Sequence, residues 1–186
     1  MNAPTIIADQ KPKISVADLF HLMEAGVIDP EAKFELVEGE IVSMSPQGPL
    51  HQSLQRWLHQ NLTTALADRF WVASGSTLIL PKYTALDPDI CVYPLDVETK
   101  DLSGEKVSLV IEIAISSKSY DLGLKAGLYS RMQVPELWVV DGEAHTTHVH
   151  RGPQDGAWRE ILRVPFDEQL SAVAAPDVAM RIADAG

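Results

Sequence analysis

Hydrophobic and polar positions follow two rhythms along this chain, and the clearest is a strand with a carboxylate in its middle. Residues 108–115 read Ser-Leu-Val-Ile-Glu-Ile-Ala-Ile, apolar and β-branched nearly throughout, with Glu112 at the centre. Side chains alternate faces along a strand. One face carries Leu109, Ile111, Ile113 and Ile115. The other carries Ser108, Val110, Glu112, Ala114 and Ser116, mostly small residues that leave room above the carboxylate. An unpaired buried carboxylate is costly to desolvate, so the pattern predicts a partner for Glu112: a cation, a basic side chain or a metal.

A helical rhythm flanks this strand on both sides. Ser15 stands where an N-cap would, with Asp18 at the capping-box position, and Leu19, Leu22 and Met23 form a stripe that ends at Gly26. Residues 34–37 and 40–44 flank Glu38-Gly39 and predict a two-residue hairpin with Gly39 at positive φ. Leu54, Trp57, Leu58, Leu62, Ala65 and Leu66 recur at helical spacing through 50–67. Short strands are expected at 70–72, 77–80 and 89–93, then a polar loop over 96–106. An amphipathic helix over 121–132 should stop before Pro135, ahead of the apolar strand 136–141. Residues 146–151 and 158–164 predict a terminal hairpin across a turn from Gly152 to Gly156. Residues 1–13 read as a disordered lead-in and 14–186 as one domain. The order predicts an α/β fold with one mixed central sheet flanked by helices.

Composition narrows this picture only a little. A chain of 186 residues with 46% hydrophobic and 22% charged residues is an ordinary globular domain with a sizeable core. No apolar run reaches the length of a membrane span. The N-terminus lacks a secretory pattern, so a cytoplasmic protein with no membrane partner is expected. The single cysteine, Cys91, cannot form an internal disulfide and fits a reducing compartment. The net charge of -11 argues against a broad nucleic-acid-binding surface, which is normally basic. It is compatible with a small acidic site that approaches a phosphate through divalent cations.

Three groups form a chemical constellation. Pro88-Asp89 opens one strand, Glu112 sits in the next, and Lys125 lies on the helix that follows. If the two strands pair, Asp89 and Glu112 can project to the same side as an oxygen-rich nest for Mg²⁺ or Mn²⁺. A metal there would acidify its water and neutralise phosphoryl charge, and a nearby lysine could orient that water or stabilise the developing anion. Each residue also has an ordinary reading. Asp121 and Lys125 are spaced as an exposed helix pair worth roughly 0.3–0.5 kcal/mol. Glu112 and Lys125 could form a purely structural buried pair, Asp89 could cap a turn, and Glu35 could be solvated on its hairpin. His148 and His150 share a strand face but lack the ligand set of a zinc site, and they read as exposed. The chain has no serine-nucleophile elbow, P-loop or dinucleotide-binding glycine pattern, so no nucleotide cofactor is expected.

The series Phe34-Glu35-Leu36-Val37-Glu38-Gly39-Glu40-Ile41, Pro88-Asp89, Glu112-Ile113-Ala114, Tyr120-Asp121-Leu122-Gly123-Leu124-Lys125, Tyr129 and Val134-Pro135-Glu136-Leu137-Trp138-Val139-Val140-Asp141 resembles the Uma-type restriction endonuclease family. That family belongs to the PD-(D/E)XK nuclease superfamily, and the similarity runs in order over most of 15–165. The resemblance implies an αβββαβ core, a divalent metal and hydrolysis of phosphodiester bonds in DNA. Asp89 and Glu112 would be the metal ligands, and Glu35 an acid contributed from the hairpin. The superfamily lysine normally lies two residues after the strand acid. Here that position is Ala114, so Lys125 would replace it from the helix, with Lys118, in the preceding loop, ranked second. His51, similar to a histidine that recurs in that family, could meet a phosphate if it faces the cleft, and could equally cap the helix or lie on the surface. Cutting both strands of a duplex often takes two sites, which makes a homodimer an expectation. The alternative is a nuclease-fold binding module that no longer cuts, motivated by the acidic charge and the missing lysine at Ala114.

Overall fold

The computed structural model describes residues 12–29, 31–44 and 46–185. All but the last two residues of the expected lead-in therefore lie outside the described residues. The first helix, α1 (Val16–Glu24), starts where the sequence places it. Ser15 Oγ accepts from the Asp18 N–H and Asp18 accepts from the Ser15 N–H, a complete capping box. Strands β1 (Phe34–Val37) and β2 (Glu40–Ser43) form the hairpin, with Glu38 and Gly39 at φ 51° and 90°. Both turn residues thus take the left-handed backbone that a two-residue hairpin demands.

Helix α2 (Pro49–Leu66) buries Leu54, Leu58, Leu62 and Leu66, one stripe at i,i+4 spacing. Strands β3 (Phe70–Ala73), β4 (Leu78–Leu80), β5 (Thr84–Leu86), β6 (Ile90–Pro94) and β7 (Leu109–Ala114) follow. The next helical segment runs as α3 (Lys118–Tyr120), a π-helical turn at Asp121–Lys125, and α4 (Ala126–Arg131). Strands β8 (Glu136–Asp141), β9 (Thr146–Gln154) and β10 (Ala157–Pro165) complete the strand set.

The strands form two sheets rather than the expected one. The larger has the order β10-β9-β8-β7-β6-β3, and the smaller has the order β2-β1-β5-β4. Among the described residues only β7 and β8 pair in parallel, because the chain crosses between them through α3 and α4. The string α2–β3–β6–β7–α3/α4–β8 is the αβββαβ order, with β4 and β5 diverted into the smaller sheet. β5, a three-residue strand, is absent from the sequence expectation: it pairs with β1 through Leu36–Ala85 and carries the N-terminal hairpin into a sheet of its own.

The two faces of the larger sheet have separate cores. The leucine stripe of α2 packs with Ile90, Val92, Leu109, Ile111 and Ile113. Ala126, Leu128, Tyr129 and Met132 pack on the other face with Val110, Ala114, Leu137 and Val139. Burying a leucine of this kind contributes about 1.5–3 kcal/mol. The alternation around Glu112 is therefore as expected, with large aliphatics on the α2 side and small residues on the other.

The C-terminal hairpin differs from expectation in two ways. Its turn is Asp155-Gly156, at φ 49° and 86°, and both strands run longer than expected. His148 and His150 are buried, not exposed. The helix lies across the hairpin, with Trp158 Nε1 donating to the Ala126 carbonyl at 3.0 Å, and the His150 ring sits 5.6 Å from that of Trp158. Burial lowers the pKa of both histidines. The Ala-rich tail also packs on the core. Glu136 is buried in β8 and accepts the Val173 N–H at 2.7 Å and the Arg151 Nε–H at 2.9 Å.

Candidate active site

Strand pairing brings Asp89 and Glu112 together. β6 and β7 are antiparallel with Ile90 opposite Ile111 and Cys91 opposite Val110, so the register extended by one residue sets Asp89 opposite Glu112. Asp89 Oδ2 accepts the Ile113 N–H at 2.8 Å, which ties the acid to the neighbouring strand. His51 Nε2, on the first turn of α2, donates to the same oxygen at 3.0 Å, and Gln47 Nε2 donates to Oδ1 at 3.1 Å. His51 Nδ1 is buried and has no hydrogen-bond partner among the described residues. His51 is thus in the cleft, beside an acid.

Lys125 joins the two sheets. Its Nζ lies 2.7 Å from Glu112 Oε1 on the larger sheet and 2.9 Å from Glu35 Oε1 on the smaller. All three side chains are at most 5% exposed. Glu35 is therefore not a solvated hairpin residue; it also accepts the Asp87 N–H at 3.1 Å. The Tyr129 hydroxyl donates to Glu112 Oε1. Asp121 is buried too, and accepts from the Ser117 hydroxyl, so it is not half of an exposed helix pair. The π turn accounts for this: the Ala126 N–H reaches back to the Asp121 carbonyl, an i→i+5 bond. That wider turn stacks Asp121 and Lys125 on the inward side. Turns of this kind are frequent at functional sites.

These groups face a cavity of about 460 Å³ whose wall includes Glu35, His51, Asp89, Glu112, Asp121 and Lys125. Four carboxylates and one lysine line it, and the lysine pairs with two of the carboxylates, Glu35 and Glu112. Burial pushes the Glu112 carboxyl up to about 8, against the pull of Lys125 and with the push of Asp89, Asp121 and Glu35. Burial also raises Asp121, with Ser117 and Lys125 opposing. Burial disfavours charge on Lys125 as well, but Glu112 and Glu35 outweigh it and hold its pKa above the ordinary lysine range. The ammonium stays charged.

The donor set fits a hard divalent cation. Mg²⁺ takes one or two carboxylates and fills its other positions with water and substrate oxygens. Asp89 and Glu112 supply two carboxylates on adjacent strands. Asp89 accepts three hydrogen bonds of the roughly four its lone pairs allow, and the Lys125 and Tyr129 contacts of Glu112 fall on Oε1 alone. Among the described residues no group of three His, Cys, Asp or Glu side chains is poised as a metal cage, so any cation would rest on this pair plus water.

Lys118 lies apart from this wall. It sits in the first turn of α3, not in a loop, and pairs with Asp141 at 2.5 Å. Gln47, Tyr120, Asp121 and Tyr129 belong to the site although sequence reasoning did not place them there. Positions 121, 125 and 129 recur at i,i+4, so one helical face would have pointed to Asp121 and Tyr129. Gln47, a loop amide, leaves no such signal.

Fold and site together define a restriction-endonuclease-like α/β protein: an αβββαβ sheet with paired acids facing each other from adjacent strands. A family model described as "Uma2: Putative restriction endonuclease" matches residues 17–183, and the chain belongs to that family. The fold is shared with a crystal structure titled a putative nuclease belonging to DUF820 from Anabaena variabilis, with a TM-score of 0.70 at 18% identity over 92% of this chain and 97% of that one. No curated protein matches. Among the described residues no helix is long and apolar enough to cross a membrane.

Proposed function

We propose that this protein is a divalent-metal-dependent nuclease that hydrolyses phosphodiester bonds in DNA. The observation that carries this reading is the buried set Asp89–Glu112–Lys125 at the wall of an open cavity, where Lys125 pairs with Glu112 and Glu35. Asp89 and Glu112 would hold Mg²⁺ or Mn²⁺. The chemistry supplied by that cation is acidification of a water and neutralisation of charge on the phosphoryl group. Lys125, held charged by Glu112 and Glu35, acts as a donor and not as a base: it orients a water or stabilises the anion that develops on the phosphate. Glu35 and Tyr129 fix the lysine and Glu112, and His51 and Gln47 fix Asp89. The first turn of α2 has no side-chain cap, and Gly48 and His51 line the cavity, so the helix presents its N-terminal dipole to an anion there.

Nicking of supercoiled plasmid at low salt, with Mn²⁺ or with chelator, tests the proposal. Wild type should nick only with metal, and Asp89→Asn should not nick although it is folded. Wild-type cleavage retained by Asp89→Asn would sink the assignment.

A second reading is a nuclease-fold binding module without turnover. The pairing of Lys125 with both Glu112 and Glu35 favours it, because that pairing completes a buried charge network without any metal. This module has no reason to bind Mn²⁺ at Asp89. Calorimetric titration separates the two: Mn²⁺ binding that Asp89→Asn abolishes belongs to the nuclease.

A further inference from the structure

A second groove, about 510 Å³ and open to solvent, runs along α2 and is lined by Gln52, Gln55, Arg56, His59, Gln60 and Ser74. Five of these residues follow the spacing i, i+3, i+4, i+7, i+8, the outward counterpart of the leucine stripe that anchors the helix. Two hydrogen bonds tie the groove lining to residues of the cavity wall. Gln55 Nε2 donates to the Asp89 carbonyl at 3.0 Å, and Gln52 Nε2 donates to the Gln47 carbonyl at 3.3 Å.

Its charge departs from that of the whole molecule. The chain carries a net charge of -11, yet α2 contains no Asp or Glu in its 18 residues. It does contain His51, Arg56 and His59. Arg56 is exposed, and among the described residues it makes no ion pair within 4 Å. The groove lining is polar, with one arginine, no carboxylate and no apolar side chain. An anion-bearing polymer fits that chemistry; an apolar ligand or an acidic metal site does not.

We infer that this face of α2 is the track for the sugar–phosphate backbone of the nucleic acid beyond the bond that is cut. The inference rests on the nuclease reading, and extends it from the reacting phosphate to its flanking strand. From His51 to Gln60 the helix advances about 14 Å, long enough to meet more than one phosphate of a strand. Phosphate contacts of this kind hold register and carry no sequence information. The track thus explains how an acidic protein holds DNA: acid elsewhere repels the polymer, and the long acid-free helix α2 receives it.

Binding to a fluorescein-labelled DNA duplex, measured by anisotropy in chelator across a range of salt, tests the track without requiring turnover. Arg56→Glu should weaken binding several-fold and lower the slope of log affinity against log salt by about one. Gln60→Glu places a carboxylate in the same groove and should weaken binding in the same direction. Arg163→Glu makes the same charge change as Arg56→Glu on exposed β10, away from the groove, and should bind as wild type does. Circular dichroism establishes that each variant is folded.

Equal affinity and slope in wild type and folded Arg56→Glu overturns the track. So does an equal loss in Arg163→Glu, which would mark a response to net charge alone. Failure of wild type to bind the duplex at low salt overturns it as well. Failure to nick plasmid while duplex binding depends on Arg56 overturns the nuclease reading and leaves the track standing.

Discussion

At the scale of single residues, Lys125 decides whether the site can exist at all. Removing one partner of a buried charge network leaves the other charges uncompensated and costs about 3–5 kcal/mol. Lys125→Met, which keeps the aliphatic volume but loses the ammonium, should therefore destabilise the fold by that amount in urea unfolding at neutral pH. A variant as stable as wild type at pH 7 would show that Glu35 and Glu112 are not held by this contact.

Glu112 gives a pH dependence whose sign is fixed. Its folded pKa is raised to about 8 from an ordinary 4.5, so between those values the folded state holds a proton that the unfolded state has released. Stability from this group falls as pH rises through that window. His148 and His150 are lowered by burial and act the opposite way near their ordinary value of 6.5, which is why a comparison with Glu112→Gln is needed. In chelator, wild type should lose stability relative to Glu112→Gln between pH 5 and pH 8. A constant difference would contradict the assignment.

Elements show where sequence reasoning succeeds and where it stops. Glu112 was legible because a carboxylate interrupts a run of β-branched residues, and α2 because its leucines repeat at one spacing. Asp121 was misplaced because i,i+4 spacing is shared by surface pairs and buried sites, and the π turn that buries it leaves no mark in residue pattern. β5 escaped because three residues show no alternation. The buried histidines of β9 read as exposed because what covers them, a helix from earlier in the chain, is a long-range contact. Lys118 read as a loop residue because the helix starts without a side-chain cap.

One close approach fixes the end of α4. A Cβ on Gly104, in the loop after β6, would lie 2.1 Å from the Met132 carbonyl oxygen, a backbone atom that cannot swing aside. Gly104→Ala should cost about 1–3 kcal/mol, the usual range for overpacking, by displacing the loop from the helix end. Leu58→Ala, at the centre of the α2 stripe, should cost about 2–5 kcal/mol. Chemical denaturation measures both.

At the scale of the whole molecule, the proposed cation is a ligand of the folded state only. At a hundred times its dissociation constant it should add about 2.7 kcal/mol to stability. Mn²⁺ should therefore raise the melting temperature of wild type and leave that of Asp89→Asn unchanged. An equal rise in both would place the binding elsewhere.

The span of Lys125 between the two sheets has a further consequence for the life of the chain. Glu35 leaves the ribosome long before Lys125, and the strand of Glu112 lies between them in synthesis. No fragment ending before the lysine can assemble the arrangement, and no intermediate with the sheets undocked can hold it. Whatever reactivity the arrangement confers is withheld from the nascent chain and switched on by the completion of folding itself.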